Sequence, residues 1–361
     1  MLKAILYTHN DLDGAGCTVM FELAFRHLEE AVEWRTLICS AESIDEKVLR
    51  SWSAHHFEKD TLICFADIVP SRPVLENLIA NGYRNIKIWD HHITAKWINE
   101  LLPSEEIVIE KGGQLQCGTS LMYKFFSDLA EREPENPIGF NFSLDHNSLE
   151  NLILLSEFVD LVRSYDTFEW KVSNNTDAKK LNILFQMLGT KIFSRKYVKR
   201  LIGLDSETSM FSPTENEFIT ARIINENDAI NTYDISKLYY MDIKGLKTAI
   251  KFTGGDGIPM SDFAYNLLEK NKNLDMFIGI NLGAGTISFR TTREDLNVAT
   301  FMAEPLNGGG HAKAAGTVIP LDLRNIIKNQ VMKYIDRFGK ELNYEKIIKN
   351  RQVRNWILYL H

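Results

Sequence analysis

Three stretches carry residue types that could hold metal ions: His9-Asn10-Asp11-Leu12-Asp13, the isolated Asp67, and Asp90-His91-His92. His9, Asp11 and Asp13 alternate, so an extended segment would project them to one side, where a single divalent ion could accept all three. Asp67 could bridge to a second ion, completed by His91 and a later carboxylate. Carboxylate oxygens mixed with a few imidazoles suit manganese, with magnesium, cobalt or iron as substitutes, and the histidines disfavour calcium. Two ions about 3.5–4 Å apart would acidify a shared water and grip phosphate oxygens, the metal route to phosphoester hydrolysis. Alone, an HxDxD stretch is more often a capping or turn cluster, and a lone Asp-His-His is mostly chance. What favours chemistry is that all three stretches end apolar runs.

A second kind of pattern lies far downstream. Gly308-Gly309-Gly310-His311 can present successive backbone N–H groups to an oxyanion, with His311 as a further donor. Arg290, at the end of an alternating run, offers a bidentate fork for a phosphate or a terminal nucleotide. By itself a Gly-Gly-Gly-His segment is a flexible loop about as often as a binding site.

The elements that must place these residues follow from periodicity. Apolar runs at 4–8, 61–66 and 86–89 predict strands, with another at 32–38, and the spacing predicts helices over 17–30, 43–52 and 71–82. Gly14 and Gly16 read as a tight turn before the first helix. Asp67 and Asp90 are 23 residues apart, which allows a helical crossover, so the runs should pair in parallel and bring their polar ends to the carboxyl edge, where open α/β sheets place ligands. Helices are expected over 118–129 and 149–166, with a polar loop at 131–147 between them. From 171 to 233 no strand signal appears, and the segment reads as connecting helices. Beyond it the pattern turns antiparallel: a hairpin of 277–281 and 286–290 around Gly283-Ala284-Gly285, a helix near 297–304, and a returning strand at 316–319. The tail from 324 reads as a basic amphipathic helix or helix pair. The domains expected are a metal-binding domain at 1–190, a helical connector at 191–235, a smaller α/β domain at 236–340 and a tail at 341–361.

Composition sets outer limits. The 361 residues, 45% hydrophobic and 25% charged, suit two ordinary globular domains. No apolar run nears the ~20 residues that span a bilayer, and the N-terminus lacks a signal-peptide pattern, so a cytoplasmic protein is expected. Cys17, Cys39, Cys64 and Cys117 form no CxxC pair and read as buried thiols. A net charge of −7 argues against coating long nucleic acid and permits a small anionic substrate at a metal. His55-His56 reads as surface, the basic residues of 191–200 as a solvated helix face, and the scattered tryptophans as core.

Together, His9-Asn-Asp-Leu-Asp-Gly14, Asp67, Asp90-His91-His92 and Gly308-Gly-Gly-His-Ala-Lys-Ala-Ala-Gly316 resemble the DHH phosphoesterase superfamily with its DHH-associated C-terminal domain. The Tyr165-Asp166-Thr167-Phe168 segment makes the likeness nearest to the bacterial oligoribonucleases, or nanoRNases, of the NrnB type. The resemblance implies an α/β fold: a parallel-sheet metal domain, a helical connector and a smaller α/β substrate-binding domain that closes over it. It implies His9, Asp11, Asp13, Asp67, His91 and Asp166 as ligands of two manganese ions, with Asp160 the runner-up for the last. His92 would donate to the scissile phosphate or the leaving oxygen, Asp90 would orient the neighbouring imidazoles, and Gly309, Gly310, His311 and Arg290 would hold substrate. The implied activity is hydrolysis of short RNA or DNA oligonucleotides to mononucleotides, with a homodimer left open. Alternatives are a cyclic- or linear-dinucleotide phosphodiesterase, a 3′-phosphoadenosine-5′-phosphate phosphatase, or a nucleotide-binding sensor without turnover.

Overall fold

The apolar runs that end in acidic and imidazole residues become neighbouring strands. The computed structural model describes residues 2–26, 33–55, 58–132, 148–204, 209–253, 258–320, 322–326, 328–330 and 332–333. Two compact units result. One is Met1–Tyr233 with Gly257–Pro259 and Gly309–His311, and the other is Asp234–Asp256, Met260–Gly308 and Ala312–His361.

In the first unit the chain runs β1 (Leu2–His9), α1 (Leu12–Phe25), β2 (Glu33–Cys39), α2 (Ile44–His55), β3 (Leu62–Ala66), α3 (Arg72–Ala80) and β4 (Ile86–Trp89). The four strands form one parallel sheet in the order β2-β1-β3-β4. Thr8 pairs with Ala66 and Ala66 with Trp89, so β1, β3 and β4 end level and deliver His9, Asp67 and Asp90 to one edge. The strand order reverses between β1 and β3, the switch point at which such sheets open a crevice.

Both faces of the sheet are covered, which is why its strands read as nearly unbroken apolar runs. Ile5, Tyr7, Ile63, Phe65 and Ile88 pack with α2 and α3 residues, and Leu6, Cys64, Ala66 and Trp89 pack with α1 and later helices. The outer edge of β4 is closed by Glu105: Oε2 accepts from Ile88 N at 2.9 Å, and Oε1 pairs with Lys87 Nζ at 2.8 Å. A side chain thus occupies a position where another strand could add.

Next come α4 (Ile98–Leu101), a small hairpin of β5 (Glu110–Lys111) and β6 (Gln114–Leu115), α5 (Gly118–Arg132), α6 (Ser148–Asp166), α7 (Glu169–Ser173), α8 (Thr176–Leu201) and α9 (Pro213–Thr232). α8 breaks at Gly189, with φ 69° and ψ 160°. The expected solvated face at 191–200 is not uniform, because Arg200 is fully buried and bonds Glu215. All four cysteines are free and buried.

The second unit holds β7 (Tyr239–Ile243), β8 (Leu246–Thr253), α10 (Met260–Lys270), β9 (Met276–Asn281), β10 (Thr286–Arg290), a π-helical turn at Ala299–Ala303, and β12 (Ala314–Val318); β11 (Gly309–His311), which pairs with β12, is counted with the first unit. The sheet order is β11-β12-β10-β9-β8-β7. The hairpin of β9 and β10 has the expected register, Phe277 opposite Arg290 and Asn281 opposite Thr286.

Three expectations need correction. The downstream sheet is mixed, not antiparallel throughout, because β8 and β9 run parallel across the α10 connection. β7 and β8 went unnoticed because their two-residue turn is Lys244-Gly245, both at positive φ, where the usual signal would be Asn-Gly or Asp-Gly. Gly14 and Gly16 make no turn; they lie inside α1, which begins at Leu12. Among the described residues, no helix is long and apolar enough to cross a membrane. The 133–147 part of the polar loop, His56 and the tail beyond 333 lie outside the described residues.

Candidate active site

The first cluster is built where β1 gives way to α1. His9 is the last strand residue, and Asp11 caps the helix: its Oδ1 accepts from Gly14 N at 2.9 Å and its Oδ2 lies 2.6 Å from His9 Nδ1. The expected extended alternation of His9, Asp11 and Asp13 does not hold, because the helix starts between them and Asp13 sits in its first turn. The crossover must be tight. A Cβ on Gly14 would stand 2.0 Å from the carbonyl oxygen of His9.

Asp13 is buried and fixed from a distant part of the chain. Its Oδ2 accepts from Gly118 N at 2.7 Å and its Oδ1 from Thr119 N at 2.8 Å, while Thr119 Oγ1 donates to the Asp13 carbonyl at 2.9 Å. Those amides begin α5, where unpaired N–H groups and the helix dipole favour a carboxylate. A Cβ on Gly118 would lie 3.0 Å from both Asp13 Oδ2 and Asp67 N, so the cradle admits little beyond glycine. Sequence reasoning expected a helix at Gly118 but not this task for it.

Asp67 follows β3 in a left-handed conformation, φ 60°, which aspartate tolerates better than most residues. Its Oδ1 lies 3.3 Å from His91 Nε2 and its Oδ2 3.8 Å from His9 Nδ1. The buried His91 Nε2 is also 3.8 Å from Asp13 Oδ2 and 3.5 Å from Asp166 Oδ2. Asp166, at the end of α6, is thus gathered with the others, whereas Asp160 is 55% exposed and paired with Arg163 at 2.8 Å. Asp90 Oδ1 accepts from the amides of His91 and His92, at 2.7 and 3.1 Å, and sits 2.7 Å from His92 Nδ1.

Gly309–His311 is counted with this unit, and the His311 ring lies 5.2 Å from that of His91 and 5.5 Å from that of His92. Arg290 belongs to the second unit, where it donates to Ser261 Oγ and to the carbonyls of Phe289 and Ala315.

The charges explain what the cluster can hold. Burial, then the repulsion of Asp11, Asp13 and Asp166, pushes the Asp67 carboxyl well above its usual range. Burial, then Asp13 and Asp11, does the same to Asp166. Desolvation opposes ionisation of Asp11, but the charge and hydrogen bond of His9 hold that carboxyl low. Burial and the neighbouring His92 bring His91 down to about 4, leaving it a neutral imidazole suited to ligation. Burial works against a charged His92, yet the charge and hydrogen bond of Asp90 raise it to about 9.

Asp67 Oδ2 and Asp166 Oδ2 are buried without a hydrogen-bond partner. Orphaned carboxylate oxygens among like charges are costly unless a cation joins them. Among the described residues three sets converge closely enough to be ligand groups, the ligand atoms of each within 4.8 Å of one another: His91 with His92 and His311, and two that share Asp67, His9 with Asp11 and Asp67, and Asp13 with Asp67 and His91. The donor chemistry fits divalent metal ions.

No family model matches the chain. Oligoribonuclease NrnB of Bacillus subtilis (strain 168) is 27% identical over 323 residues, 87% of this chain and 72% of that protein. Among solved structures, exonuclease RecJ bound to manganese has a TM-score of 0.48 at 15% identity, covering 92% of this chain and 90% of its own. A pGpG-specific phosphodiesterase, PggH of Vibrio cholerae, has a TM-score of 0.43 at 14% identity, covering 93% and 99%. With the motif order and the sheet edge already in place, the chain is similar along most of its length to an oligoribonuclease, NrnB.

Proposed function

We propose that the chain is a manganese-dependent phosphodiesterase that hydrolyses short single-stranded oligonucleotides to mononucleotides, acting in the cytoplasm. The observation that carries this reading is the sharing of Asp67 between two ligand-like triads at one sheet edge. The likeness to an oligoribonuclease along most of the chain supports the substrate class. A net charge of −7 suits a short substrate better than a long polyanion, whose binding needs a dense basic surface.

In this reading His9, Asp11 and Asp67 hold one ion, and Asp13, Asp67, His91 and Asp166 hold the other. Bound ions would neutralise phosphate oxygens and acidify the attacking water. The chain's own contribution is placement and a proton. His92, kept charged by Asp90 at its Nδ1, can donate from Nε2 to a phosphate oxygen or to the departing oxygen. Gly309, Gly310 and His311 are assigned to the substrate phosphate.

The test is a substrate panel. Full-length protein with Mn2+ would be given labelled di- to pentanucleotides, a long single strand, a cyclic dinucleotide and a nucleoside 3′,5′-bisphosphate. The expected result is fastest conversion of the short linear strands to mononucleotides. Preference for the long strand or the cyclic compound would overturn the substrate assignment.

A further inference from the structure

Asp166 is awkwardly placed for a carboxylate. It ends α6, where free carbonyls and the helix dipole disfavour negative charge. Asp13 and Asp11 repel it, and its Oδ2 is buried without a hydrogen-bond partner. Two residues on, Phe168 is left-handed at φ 67°, a conformation unfavourable for a bulky residue. Such a turn keeps its shape only where the surrounding structure holds it.

One helical turn before Asp166 stands Arg163, its side chain only 8% exposed. Its Nη1 donates to Glu169 Oε2 at 2.6 Å and to the Leu115 carbonyl at 3.3 Å, and its Nη2 donates to Asp160 Oδ1 at 2.8 Å. Glu169 opens α7 on the far side of Phe168, so the Arg163–Glu169 bond spans the very turn that carries Asp166. Leu115, in β6, anchors the clamp to a third element. Thr167 fastens the turn from inside, its N and Oγ1 each donating to the Arg163 carbonyl at 2.9 Å. Arg163 forms no hydrogen bond or ion pair with Asp166 among the described residues, so it acts through geometry and not by neutralising that charge.

We infer that Arg163, through Glu169, is a positioning residue that aims Asp166 at His91 and thereby completes one of the two ligand sets. The inference rests on the metal-site reading above. Partners that orient ligands typically change metal affinity by roughly 10–100-fold when removed.

The test is calorimetric titration of the full chain with Mn2+, beside Glu169→Ala, Glu169→Gln and Arg163→Met variants. Glu169 is partly exposed, so its variants should fold even if Arg163→Met does not. Glu169→Ala should weaken one binding step about tenfold or more and leave the other nearly unchanged, and Glu169→Gln, which can still accept from Arg163, should recover most of the loss. In turnover of a dinucleotide, kcat should fall more than KM changes. Two unaltered binding steps in Glu169→Ala would overturn the inference while leaving the metal site intact, and equal weakening of both steps would show a merely structural part. Failure of the wild-type protein to bind Mn2+ would overturn the metal site and the inference with it.

Discussion

Asp67 concentrates opposing demands in one side chain. It is buried, surrounded by other carboxylates, left-handed in backbone, and has one oxygen with no hydrogen-bond partner. Asparagine keeps the shape and accepts the same backbone conformation while removing the repelled charge. Asp67→Asn should therefore leave the metal-free protein as stable as wild type or more so, and cut turnover by more than roughly 100-fold, beyond the usual effect of a residue that only orients a ligand. Thermal unfolding in chelator, paired with dinucleotide turnover in Mn2+, reads both halves; a variant that is active, or that unfolds markedly earlier in chelator, would count against Asp67 as a strained ligand.

Gly14 is the companion case. Its Cβ would meet the His9 carbonyl oxygen at 2.0 Å, and that atom is backbone and cannot rotate away. Gly14→Ala should cost about 1–3 kcal/mol by urea unfolding and displace His9 enough to lower activity. Asp67 was legible in the sequence because a polar residue stood at the end of an apolar run, whereas Gly14 was read as a turn and lies inside α1. The cradle of Gly118 and Thr119 was not legible, because a link between Asp13 and an amide 105 residues away leaves no local periodicity.

At the scale of elements, the corner between α8 and α9 carries its own prediction. Ser212 and Glu215 form a capping box behind Pro213, and Glu215 also bonds the fully buried Arg200, which in turn donates to the Met210 carbonyl. Burial alone would raise the Glu215 carboxyl, but the Ser212 amide, Arg200 and Lys196 together hold it below its ordinary value. The unfolded chain therefore takes up this proton first as pH falls. The contribution of Glu215 is intact above the ordinary carboxyl pKa and is lost as pH drops through the lowered folded value. Glu215→Ala should destabilise by about 3 kcal/mol near neutral pH, since a buried guanidinium loses its counter-charge, and the gap from wild type should narrow on acidification. Urea midpoints across an acid series would decide; a gap that widens as pH falls would contradict the assigned sign. The β9–β10 hairpin was legible through Gly283-Ala284-Gly285, whereas the capping box at Ser212 was not singled out and the strands β7 and β8 were hidden by a lysine at the first turn position. Local signals survive when turn chemistry is conventional and fail when another residue takes the same backbone angles.

Across the whole molecule, the distribution of tryptophans weights their signal toward the first unit. Five of the six tryptophans, Trp34, Trp52, Trp89, Trp97 and Trp170, lie in the first unit, which also holds the two ligand-like sets that share Asp67, while the strands of the second pack around a core of their own that includes Met276, Ile278 and Phe289. A ligand that binds only the folded state stabilises by about 2.7 kcal/mol at 100 times its dissociation constant, which for a unit of this size moves the midpoint by roughly 5–10 °C. Mn2+ should shift the tryptophan-monitored transition by about that much, and chelator should reverse it. Hydrogen exchange should place the added protection on peptides containing His9–Asp13, Asp67, Asp90–His92 and the Gly118 amide, with less change in β9 and β10. Because burial among like charges is what makes the metal-free cluster unfavourable, the gain should shrink in Asp67→Asn even where the unliganded protein is no less stable. Equal protection of β9 and β10, or a shift that survives Asp67→Asn undiminished, would mean that the ion acts elsewhere than at the β1–β3 switch point.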